Sequence, residues 1–78
     1  MLFRSIMSFE LTNEEKVSLI QQRLKSFSAE KFQHELNKST AEAVNNEDAV
    51  KSSEAAIETL NVAIQTHISA LNELTPSE

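Results

Sequence analysis

Two histidines, His34 and His67, have the widest chemical reach of any side chains in the sequence, as metal ligands or as acid–base groups. Glu30 stands four residues before His34, so on a helix the pair would make half of a carboxylate–histidine metal site. Di-iron bundles complete such a site with repeated Glu and Glu-x-x-His elements, and the sequence contains no Glu-x-x-His. If the chain folds back about Asn45 and Asn46, residue i faces roughly residue 91 − i. His34 then lies opposite Ile57 and His67 opposite Leu24, two levels about 15 Å apart along a helix axis. The two histidines therefore cannot share a metal within one chain. Serines are plentiful, but nothing in the spacing sets one beside a histidine, so a nucleophilic triad is unsupported. Two or three thin helices also enclose no pocket.

Absent residue types exclude more. With no cysteine there is no thiolate nucleophile, no disulfide and no cysteine-based zinc or iron–sulfur site. With no glycine there is no phosphate-cradling loop, because those loops need backbone that other residues do not allow. The expectation is a protein that is not an enzyme, with no catalytic residue, no cofactor and no bound metal.

At 78 residues the chain makes one small domain, and its 40% apolar and 24% charged residues are those of an ordinary folded protein. The net charge of −5 is uneven. Residues 1–38 carry six bases and five acids, whereas residues 39–78 carry Lys51 alone against seven acids. An acidic chain does not neutralise phosphates, which argues against nucleic acid as a partner. The charge difference suits pairing of one half with the other, or with a neighbouring copy. No apolar run reaches the roughly 18 residues of a membrane span. The opening Met1-Leu2-Phe3-Arg4-Ser5-Ile6 is too short for a signal-peptide core, so a cytoplasmic protein is expected. Met7 reads as an alternative start, residues 1–6 then being an extension; a genuine flexible tail over residues 1–10 is the other reading.

The elements that carry these residues read as all-α. Thr12-Asn13-Glu14-Glu15 is a capping box for a first helix over about 12–44, with two acids at the positive end of the helix dipole. Val17, Ile20, Leu24 and Phe27 follow at helical spacing. The stripe then slips: its next positions hold Lys31 and His34, and the apolar residues stand instead at Ala29, Phe32, Leu36 and Ala43. Either the helix runs on and its buried face rotates near Phe27, or Ser28 caps a new helix and a kink there makes three. Asn45 and Asn46 are the turn, because asparagine accepts a left-handed helix end and can cap the helix that follows. A connection that short makes the neighbours antiparallel, a helical hairpin over residues 11–75.

The second helix, about 47–74, is the most regular part of the sequence. Written in sevens, alanine recurs at Ala49, Ala56, Ala63 and Ala70, and the next residue is always aliphatic: Val50, Ile57, Ile64 and Leu71. Three residues further on come Ser53, Leu60, His67 and Leu74. This is a coiled-coil heptad with Val50 and its successors at a, widened by the alanines. His67 falls at d, where a polar residue sets register or oligomer state and a histidine can make association pH-sensitive. Pro76 ends the helix. The solvent side is muted, with only Glu54 and Glu58 charged between Lys51 and Glu73. Such a face is compatible with burial in a larger assembly. A single hairpin buries one thin seam and has neither disulfide nor metal to staple it, so oligomerisation is expected to complete the fold.

The stretch Met7-Ser8-Phe9-Glu10-Leu11-Thr12-Asn13-Glu14-Glu15-Lys16 resembles the start of small proteins of unassigned role encoded by tailed phages of marine bacteria, cyanobacteria especially. Those proteins also finish in an alanine-rich heptad helix, like Ala49 to Leu74. The resemblance implies a phage-encoded accessory protein, placed in the host cytoplasm or the virion, and assigns no functional residue. A fainter similarity joins Leu11 through Leu36 to the helical adaptors that trigger phycobilisome degradation, but residues 41–74 lack the large aromatic and basic residues of their second helix. Two functions are therefore expected in competition. One is an assembly protein that self-associates through the second-helix seam together with Leu24, Phe27 and Phe32. The other is a small adaptor or inhibitor that lays its apolar stripe on a host protein, with Phe3 and Phe9 as further anchors.

Overall fold

The structure, a computed structural model, describes residues 10–74 of the chain. It consists of two α-helices, α1 over Asn13–Ala43 and α2 over Glu47–Leu74, packed side by side as a hairpin. Phe3 and Phe9, the alternative start at Met7 and the helix stop at Pro76 lie outside the described residues.

α1 starts where the capping box places it. The Thr12 hydroxyl accepts from the Glu15 amide at 3.1 Å, and the Glu15 carboxylate accepts from the Thr12 amide at 2.8 Å. Two amides that the helix leaves unpaired are thereby satisfied. The helix then runs 31 residues without interruption. The kink proposed for Ser26–Ser28 is not present. Serine only weakens a helix interior, and neither glycine nor proline is there to break it.

The end of α1 is a Schellman motif built on asparagine. Asn45 has φ of 58°, the left-handed conformation, the Asn46 amide donates back to the Ala41 carbonyl at 2.9 Å, and the Asn45 amide donates to Glu42. Asn46 then starts α2, its side-chain Oδ1 accepting from the Ala49 amide at 3.2 Å. Two adjacent asparagines thus do what a glycine and a serine commonly share, and the chain reverses within three residues. Glu47 and Asp48 occupy the first turn of α2, at the positive end of its dipole.

Burial follows the heptad in both helices. In α2 every residue that is buried or half-buried belongs to one of three columns: Ala49-Ala56-Ala63-Ala70, Val50-Ile57-Ile64-Leu71 and Ser53-Leu60-His67-Leu74. In α1 the inward column is Val17, Ile20, Leu24, Phe27, Lys31, His34, Lys38 and Ala41, at strictly alternating spacings of three and four. The buried face of α1 therefore does not rotate at Phe27, contrary to the reading of its apolar residues. Lys31, His34 and Lys38 occupy the seam, while Phe32 and Leu36, 58% and 52% exposed, stand on the far side of the helix. α2 presents one continuous aliphatic column, and α1, whose inward residues keep the same alternation of three and four, stays against it along its length whatever residues that face holds. Lysine tolerates the position because its methylene stem covers apolar surface while its ammonium reaches water.

Candidate interaction surface

The seam divides into two halves of different chemistry. Away from the turn, Val17, Ile20, Leu24 and Phe27 of α1 are all half-buried. Phe27 and His67 meet edge to face with ring centroids 4.8 Å apart and planes at 76°. The Arg23 guanidinium lies 5.7 Å from the Phe27 ring centre, within cation–π range. The His67 Nδ1 donates to the Ala63 carbonyl at 2.7 Å, one helical turn back. A carbonyl only accepts, so Nδ1 carries the hydrogen and the ring is locked in place by a backbone bond and an aromatic neighbour. His67 at its d position is thus a packed seam residue of the hairpin, and its ring partner is Phe27, one turn on from the expected Leu24.

Toward the turn the seam is cationic on the α1 side. Lys38 pairs with Glu54 at 3.2 Å, both side chains partly exposed, which marks a register of the two helices one residue from the expected one. Lys31 has no ion-pair partner among the described residues. Across from them α2 supplies Ser53 and Leu60, which together with Ala41 are the buried residues of the molecule among those described. No buried polar side-chain atom among the described residues lacks a hydrogen-bond partner. The most enclosed positions, Ala41, Ser53 and Leu60, thus lie in the turn-side half of the seam.

His34 is a half-buried seam residue seven positions beyond Phe27, about 10 Å along α1 from the level of His67. Among the described residues no three His, Cys, Asp or Glu side chains come together as metal ligands. The concavities are open depressions in the surface, one beside the turn between Glu42, Asn46 and Lys51 and another on α2 around Val62 and Thr66. No described helix is long and apolar enough to cross a membrane.

The more consequential geometry is what the hairpin leaves uncovered. Among the described residues no side chain is fully buried, and Leu60 at 9% exposure is the most enclosed large one. Val50, Ile57, Ile64, Leu71 and Leu74, with the column Ala49, Ala56, Ala63 and Ala70 beside them, remain half open. Of the α1 residues expected at an interface, Leu24 and Phe27 share this seam and Phe32 does not. The seam positions of Lys31 and Lys38 escape an apolar scan because they are charged. Only the 3-4 spacing carried forward from Val17, Ile20 and Leu24 points to them.

No protein-family model, no curated protein and no solved structure matches this chain.

Proposed function

We propose that this protein is a non-enzymatic assembly protein whose hairpin self-associates through the α2 heptad seam, two copies closing into a four-helix bundle. One observation carries the reading. The aliphatic a column and the neighbouring alanine column of α2 stay half-exposed along the whole helix after the hairpin has formed. Small residues flanking a seam let a further helix approach closely, and a second hairpin would cover what the first leaves open. The need for it is physical: a chain this small without disulfide or metal rarely holds together on one thin seam. The likeness of residues 7–16 to small phage proteins supports a role as an accessory or structural part of a larger assembly, in the host cytoplasm or the virion. The muted polar surface of α2 fits the same use.

The test is the solution mass of the full chain, by light scattering with refractive-index detection because neither Trp nor Tyr is present to absorb. A concentration-stable dimer that Ala56→Glu with Ala63→Glu reduces to monomer supports the reading. A wild-type mass that the double variant leaves unchanged sinks it. A second reading, an adaptor that binds a different protein, draws on the exposure of Phe32 and Leu36; a monomer at all concentrations would favour it.

A further inference from the structure

The apolar residues that the seam does not use form a second surface. Ala29, Phe32, Leu36 and Ala43 are all exposed and recur at helical spacing on α1. At 100° per residue, the mean direction of Phe32 and Leu36 lies about 150° from that of Lys31, His34 and Lys38. Around them stand Ser28, Gln33, Glu35, Ser39 and Thr40, all exposed, so the stripe is two large apolar knobs in a polar field with a single acid at its edge. The back of α2 is its counterpart in size. Ser52, Ala55, Thr59, Val62, Thr66 and Ser69 are all exposed and alternate at spacings of three and four, about 150° from the α2 seam. This column holds no side chain larger than valine.

We propose that the back of α1 docks on the back of α2 of a second copy, so that hairpins pack side by side. The proposal rests on the assembly reading only in taking another copy as the partner; the residues are different. Two further observations choose this arrangement. α2 carries Glu47, Asp48, Glu54, Glu58 and Glu73 against Lys51 alone, whereas α1 carries five bases and five acids. Exposed Asp48 and Glu73 stand at the two ends of the α2 back column, so packing that back antiparallel against itself opposes like charges, whereas packing it against the back of α1 does not; the α2 seam faces elsewhere and is not affected. The levels also agree. The Lys38–Glu54 pair marks the register within a hairpin. A copy placed alongside without axial shift then brings Leu36 to the level of Ala55 and Phe32 to that of Thr59, large side chains against small ones. A contact between two different faces is heterologous and does not close on itself, so it builds open rows.

The closing experiment separates this contact from the seam. For the full-length chain, the weight-average mass is expected to keep rising with concentration beyond the seam-mediated dimer. The Phe32→Ser, Leu36→Ser double variant is expected to stop at that dimer, a fall of about twofold or more, with unchanged helicity because both residues are exposed. Ala56→Glu with Ala63→Glu is expected to leave the growth in place while removing the dimer, so the two surfaces fail independently. Because the chain has no cysteine, single cysteines report cleanly. A mixture of Leu36→Cys and Ala55→Cys chains should form the mixed disulfide about tenfold in excess of either homodisulfide, since a disulfide tolerates only about 4–7 Å between Cα atoms. A mass that never exceeds the dimer, or a preferred Leu36→Cys homodisulfide, overturns the proposal. The first would leave the stripe to a different protein and the second would make the contact symmetric.

Discussion

Phe27 of α1 and His67 of α2 meet edge to face, 4.8 Å between ring centres, and theirs is the one aromatic contact that joins the two helices among the described residues. It binds a d-position histidine, an apparent defect in an aliphatic seam, into the packing. The Nδ1 bond to Ala63 supplies the polar half of the arrangement and the Phe27 ring the apolar half.

Phe27→Ala is expected to cost about 2 kcal/mol of unfolding free energy, less than the 3–5 of a fully buried phenylalanine because the side chain is only half-buried. A cycle with His67→Ala should return a coupling of about 0.5–1.5 kcal/mol beyond area burial. Urea unfolding at fixed protein concentration measures both; additive single effects would mean the ring pair contributes nothing of its own.

The cationic half of the seam makes an opposite prediction. Lys31→Leu and His34→Leu should each stabilise the hairpin by about 1 kcal/mol, roughly half the gain of full leucine burial. Lys38→Leu should gain less, since it also removes the pair with Glu54, worth about 0.2–1 kcal/mol at this exposure. Unfolding midpoints that rank Lys31→Leu below Lys38→Leu would contradict the packing described here.

At the turn, Asn45 holds φ of 58°. Asn45→Gly should be neutral or slightly stabilising, and Asn45→Ala should cost about 1 kcal/mol, because the left-handed conformation crowds Cβ. Asn45→Val should cost more. Thermal unfolding of the three variants gives the order directly.

Thr12→Ala removes one half of the capping box and should cost about 1 kcal/mol. The loss is local: amide hydrogen exchange should quicken at Glu15 and the first turn of α1 while the protection of Leu60 is retained. Uniform loss of protection along both helices would show that the hairpin opens as one unit from this end.

Local signals in the chain determined both caps, the asparagine turn, the start of α2 and its three inward columns. Each of those features depends on side chains and backbone within a few residues of one another. A helix cap is a matter of one hydroxyl and two amides, and a heptad is a matter of spacing on one helix. Which face of α1 turns inward past Phe27 was decided only by the tertiary structure. The apolar residues at Phe32 and Leu36 pointed one way, and an uninterrupted helix keeping its 3-4 column against a continuous aliphatic column pointed the other. The column prevailed because turning Phe32 inward would take Ile20 and Phe27, about 120° and 140° from it around the helix, out of the seam. Lysines, by contrast, can lie in it at little cost by extending to water. The same decision left Phe32 and Leu36 outside, where the hairpin itself has no use for them.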